Sequence, residues 1–302
     1  MRLIERVTRW AQPALPASRL ARLGVLAYLF VPIDILLGNR WIALHGEVPA
    51  DLYQPVMFAR ILHLPTPTLL WVNLIQWVTV VTAIASAIVL ILNPRLNSNK
   101  ATFGAQTLRV LVVTGYMWWM FIAMSYGKVD HDRIGFLLLL GVLAWASSLN
   151  INDHTPDSHS GWLVRMVQIA VVATYFLAAF AKVRFGGWAW LNGATLTRAV
   201  IRRGTYWSNW LVDQPGILRV SQWVLLWGEF LSPAIFLIRR QRTIVITVVC
   251  LFGFHLMTFA ALRIVFLPHC VALCAFLPLE RMRIPRHTQP SVVTMTYFPR
   301  SL

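Results

Sequence analysis

The chain predicts an all-α, polytopic transmembrane helix bundle, and three observations predict it. Of its 302 residues 58% are hydrophobic and only 13% charged, whereas soluble domains are about 45–50% apolar and about 25% charged. Its mean hydropathy is +0.63. Its apolar residues fall into runs near the length a bilayer demands, about 20 residues each, and Lys and Arg collect at the ends of those runs.

The elements follow in order. Met1–Ala11 places Leu3, Ile4, Val7, Trp10 and Ala11 at helical spacing with Arg2, Glu5, Arg6 and Arg9 elsewhere, the pattern of a short helix lying in the membrane interface. Pro13 and Pro16 end it, and no small-residue cleavage site follows, so a removable signal is not expected. About eight spans follow: Leu20–Leu37, Leu69–Leu92, Leu108–Tyr126, Ile134–Leu149, Trp162–Lys182, Ile217–Ile238, Ile244–Leu262 and Val265–Leu279. The fourth and eighth are short, and the last two, separated by Arg263, could form one kinked pair. Between the fifth and sixth, Asn192 to Gly204 reads as an outer interfacial helix with an Asn cap and a terminal Gly. Leu196, Val200 and Ile201 mark its apolar face, and Tyr206, Trp207 and Trp210 add an aromatic belt. Residues 1–280 therefore form one transmembrane domain, and 281–302 a short polar tail.

An even number of spans puts both termini on one side. That side carries fifteen Lys and Arg against eleven on the other, so both termini are expected in the cytoplasm, with the chain in a cell inner membrane. The formal charge of +16 comes from these segment ends. No solvated basic stripe or recognition helix exists, which excludes a nucleic-acid partner. The three cysteines, Cys250, Cys270 and Cys274, lie in apolar segments without C-x-x-C spacing and read as packing residues.

Ionisable groups within apolar spans are costly and each needs a reason. Asp34 lies near the end of its span and is expected to reach the outer interface. Glu229, about twelve residues into its span, would lie roughly 18 Å deep, as a neutral acid or as the partner of a buried base. His255 and Arg263 are eight residues apart, within about 80° around a helix, and could line one face. Lys182 ends an outgoing span and His131 precedes an ingoing one, so Lys182, His131, His255 and Arg263 converge toward the outer face. A desolvated lysine in such an apolar site could serve as a base; an exposed one would only snorkel to the membrane surface. The scattered histidines fit no metal spacing.

Several of these pieces, in this order, resemble the HTTM (horizontally transferred transmembrane) domain family, the membrane domain shared with vitamin K-dependent gamma-glutamyl carboxylase. The pieces are Tyr175-Phe-Leu-Ala-Ala-Phe-Ala-Lys182 followed by Trp190-Leu-Asn-Gly193, then Glu229-Phe-Leu-Ser-Pro233, then Phe254-His255 with Pro268 and Pro278, and Asp130-His131 before a Leu-rich span. The resemblance implies Lys182 as the base toward a reduced, vitamin K hydroquinone-like quinone, assisted by His131. His255, Glu229, Arg263 and Tyr175 become the groups that would bind this cofactor. Dioxygen and carbon dioxide are the implied co-reactants of an epoxidation-linked carboxylation, without metal. The chain departs from the carboxylase in having Ala181 beside one lysine instead of a lysine pair, and in lacking a large outer C-terminal domain. A periplasmic or membrane protein partner could supply that domain, alongside membrane lipids as the surrounding partners. The alternative is a non-catalytic membrane partner, assembly or immunity-type protein on the same scaffold. A transporter is a third reading, although no internal halves repeat.

Overall fold

The computed structural model describes residues 2–92, 99–127, 131–147 and 149–282. Its helices are α1 (Arg2–Ala11), α2 (Ala17–Ile33), α3 (Met57–Ile61), α4 (Leu69–Leu92), α5 (Asn99–Met124), α6 (Ile134–Trp145), α7 (Ser158–Gly186), α8 (Ala194–Arg203), α9 (Pro215–Phe230), α10 (Gln241–Leu262) and α11 (Leu267–Leu273). Five helical segments are long and apolar enough to cross a membrane: Ala17–Gly38, Leu69–Leu92, Phe103–Met124, Ser158–Gly186 and Gln241–Leu262. The other three expected spans are helical but short. α6 ends at Trp145, α9 stops at Phe230, and α11 passes into a 3-10 turn at Cys274–Phe276.

The core is built by α2, α4, α5, α6 and α7, with α11 packed on α2, α6 and α7. Trp119, Tyr116, Tyr28 and Phe136 are its largest fully buried side chains. Phe136 meets both Phe30 and Tyr116 edge-on at 5.3 Å, a favoured ring geometry. Small residues let the backbones close in: a Cβ on Gly115 would lie 2.1 Å from Thr79 Oγ1.

One end of the bundle gathers α1, the loop at 149–157 and Glu280. Leu15–Pro16 (β1) pairs antiparallel with Pro156–Asp157 (β2), and the Arg165 guanidinium lies 5.0 Å from the Trp10 ring while donating to its carbonyl. Buried arginines fasten this end by satisfying carbonyls that helix termini leave open. Arg22 donates to the carbonyls of Ile151, Leu279 and Met282, and Arg109 to those of Leu143 and Ala146. Arg19 grips Glu280 with two bonds of 2.7 Å. Part of the basic excess is thus internal bracing.

The opposite, far end carries residues 39–68, 131–133 and 187–214. There Asp34 does not reach an interface as expected: it is buried at 4% exposure. Arg133 Nη1 approaches its Oδ2 at 2.6 Å, the Tyr116 hydroxyl donates to the same oxygen at 2.7 Å, and Asn39 Nδ2 donates to Oδ1 at 2.8 Å. A buried carboxylate is tolerated because every oxygen is met. A five-residue π-helical stretch, Asp34–Gly38, ends α2 at this point.

α8 forms between Asn192 and Gly204 as expected, but its N-cap is Gly193 and not Asn192. Asn192 Oδ1 accepts from the Ala194 amide at 2.8 Å, and Gly204 ends the helix. Gly193 needs its φ of 95°, and a Cβ on it would lie 3.3 Å from the Arg219 backbone, a turn few other residues could make. α10 is the outlying helix, packing on α8, α11 and the 3-10 turn that follows α11.

Candidate functional site

Lys182 lies four residues before the end of α7, at the far end of the bundle. Its ammonium is not isolated: Nζ hydrogen-bonds Glu229 Oε2 and lies 5.3 Å from the Trp190 ring, a cation–π distance. The Lys182 side chain is 28% exposed and that of Glu229 16%.

Glu229 therefore lies close to the far end and not mid-span as expected, and α9 explains why. Its early turns rise beside the cap that follows α7. Gln222 Nε2 donates to the Trp190 carbonyl and its Oε1 accepts from the Leu196 amide. Counting seven residues onward brings Glu229 about 10 Å below that cap, level with Lys182. The helix then stops: Leu231 leaves helical geometry and Ser232–Leu237 continues as a 3-10 turn. Pro233 is the cause, since it has no N–H for the Glu229 carbonyl and its ring would strike that group in a continuous helix. The sixth expected span is a broken helix, and a cation beside the C-terminal end of its first half is favourably placed.

Tyr175 is one helical face down from Lys182, since seven residues span nearly two turns. Its hydroxyl is 2.6 Å from His255 Nε2. Tyr175 is 7% exposed and His255 6%. The two rings stack at 5.8 Å, and His269 of α11 meets Tyr175 edge-on at 4.6 Å and His255 at 5.5 Å. Tyr175 also lies within electrostatic reach of Glu229 and Cys270, which links the pair at Lys182 to the ring cluster.

His255 faces a cleft between α10 and α11 with a volume of about 760 Å³. Phe252, Leu256, Phe259, Phe266 and Phe30 form much of its wall, and apart from His255 only Cys270 and Cys274 bring a heteroatom in their side chains. Of the three cysteines, Cys274 packs against the core as expected, Cys270 is half-buried, and Cys250 departs from the expectation by being exposed on α10.

Of the predicted site residues, Lys182, Glu229, Tyr175 and His255 come together. Arg263 is set apart: it takes a left-handed conformation (φ 54°) at the end of α10 and is exposed, so it does not share a buried face with His255. The backbone of His131 opens a 3-10 turn, His131–Arg133, packed against α11; its side chain, like Asp130, lies outside the described residues, as do Arg283, Arg286 and Arg300 of the tail. His269 was missed, although the signal was present: it is an ionisable residue in an apolar run, the criterion that selects His255. No family model matches the chain, and neither a curated protein nor a solved structure does.

Proposed function

We propose that this is an inner-membrane protein of the HTTM type with eight crossings and cytoplasmic termini. It binds a quinone-like lipid at its far end and runs carboxylase-like, quinone-linked epoxidation and carboxylation chemistry there. The observation that carries this reading is the meeting of Lys182–Glu229 and Tyr175–His255 along one face of α7, with His255 lining an apolar cleft. A wide apolar pocket with a few convergent polar groups is the usual form of a lipid-like ligand site.

The residues divide the work. The cleft takes the apolar body of the ligand and excludes water. His255, held by Tyr175, presents a ring nitrogen to the polar head; its Nδ1 is buried without a hydrogen-bond partner among the described residues. Glu229 holds the Lys182 ammonium by charge and can take its proton, which frees the amine to act as a base. His131 assists Lys182 as the family resemblance implies, and Arg263 stands at the exposed rim. A bound reduced quinone would supply the electrons that dioxygen takes up, with carbon dioxide as the second co-reactant.

The test is epoxidation of a reduced naphthoquinone by purified protein in nanodiscs, wild type against Lys182→Ala. The expected loss is 10²-fold or more, in the range for removing a positioned general base. Equal rates would end the catalytic role of Lys182.

A further inference from the structure

The hydrogens of the Tyr175–His255 pair can be assigned by counting. A phenol carries one hydrogen and a neutral imidazole one. The Tyr175 hydroxyl makes a single hydrogen bond among the described residues, to His255 Nε2, while His255 Nδ1 is buried without a partner. If Nε2 carried the ring hydrogen, two buried groups would go unmet, the phenol hydrogen and the Nδ1 lone pair. If the phenol donates to Nε2, only one remains, an N–H on Nδ1. Each unmet buried polar group costs about 1–3 kcal/mol, so the second arrangement holds. His255, 94% buried, thus keeps one unmet donor beside a cleft whose other lining side chains carry only carbon and thiol sulfur.

The cleft also reaches the outer surface of α10. Val249, Leu256 and Phe259 line it and are at the same time 50–68% exposed on the face that α10 turns away from the bundle. An apolar chain could therefore lie in it without leaving the bilayer.

We infer that the cleft between α10 and α11 seats a neutral, carbonyl-headed lipid, which enters sideways from the bilayer and accepts a hydrogen bond from His255 Nδ1. This deepens the proposed function and rests on its choice of a lipid-like ligand, but not on chemistry at Lys182.

Cys270 and Cys274 line the cleft and report its occupancy. In a Cys250→Ser background in nanodiscs, their alkylation by N-ethylmaleimide is timed with no additive, with a fully substituted decyl benzoquinone, and with decylbenzene at equal mole fraction. The quinone, having no open ring position, does not itself add thiols. It is expected to slow alkylation at least fivefold, and decylbenzene less than twofold. His255→Phe should reduce the quinone to the level of decylbenzene. Gly253→Phe should slow alkylation without any additive, because a Cβ there meets nothing within 4 Å and the ring fills the cleft in a folded protein. Equal protection by quinone and decylbenzene overturns the carbonyl reading alone. Protection by neither, with Gly253→Phe still slowing alkylation, removes the lipid ligand and the proposed function with it. Protection that survives both His255→Phe and Gly253→Phe places the ligand elsewhere and overturns the inference.

Discussion

Two ion pairs stand at the far end of this bundle, and they are built in opposite ways. Asp34 and Arg133 are 4% and 5% exposed, and both carboxylate oxygens are met, by Asn39, Tyr116 and Arg133. Lys182 and Glu229 are 28% and 16% exposed in their side chains, beside a broken helix and near a histidine with a spare donor. A sealed pair whose carboxylate oxygens are both met can only hold helices together. A pair that stays partly exposed can still bind something. The helices differ in the same sense: 56% of the apolar window of Ala17–Gly38, which carries Asp34, is buried, against 44% for Ser158–Gly186, which carries Lys182, and 11% for Gln241–Leu262, which lines the cleft. The first half of the chain is scaffold, and the last third keeps open surface.

The largest effect should separate the two pairs. Arg133→Met leaves the Asp34 carboxylate buried without its counter-charge, and removing one partner of such a pair costs about 3–5 kcal/mol. Lys182→Met leaves a carboxylate that water can reach, so a loss of about 1 kcal/mol or less is expected. Thermal unfolding in detergent, followed by tryptophan fluorescence, reads both. Similar losses would show that exposure does not distinguish them.

Glycines sharpen the same contrast. Ala at Gly115 drives a methyl to within 2.1 Å of Thr79 Oγ1, whose side chain is buried and bonded to the Ile75 carbonyl. Overpacking of this kind costs about 1–3 kcal/mol. Ala at Gly253 meets open space and should stabilise α10 by up to about 1 kcal/mol through helix propensity. The same unfolding assay decides, and a loss at Gly253 would mean the cleft closes on itself.

Much of the scaffold was legible because it follows from local rules. Apolar runs and the presence of a short helix between Asn192 and Gly204 depend on residues close in sequence. The pairings across the bundle were not legible. Asp34 finds Arg133 across 99 positions and Lys182 finds Glu229 across 47, and no periodicity connects them. The depth of Glu229 was misread for a related reason. A uniform rise from the start of a span assumes that the helix begins at the membrane edge, whereas the first turns of α9 rise beside the cap that follows α7. His255 stood out as a histidine in an apolar run, and Tyr175 only through the family resemblance. Their partnership needed α7 and α10 to be set side by side.

α7 joins the two regions, and its ends permit one more separation. At its start Asp157 accepts from the His159 amide at 3.1 Å and the Ser160 amide at 2.7 Å. Hydrogen bonding by Ser160, more than any charge, holds this carboxyl below the usual carboxylate range. A depressed folded value means that the cap contributes fully above the unfolded value, about 3.9, and its contribution fades as pH falls through the folded value. Asp157→Ala should therefore lower stability by about 1 kcal/mol at pH 7, and the gap to wild type should close in strongly acidic buffer. The other end of α7 should not notice. Lys182 lies twenty-five residues away, and the Cys270 alkylation rate should stay within twofold of wild type. A changed rate would mean that strain at the scaffold end reaches the cleft through α7, and that the two regions are one mechanical unit.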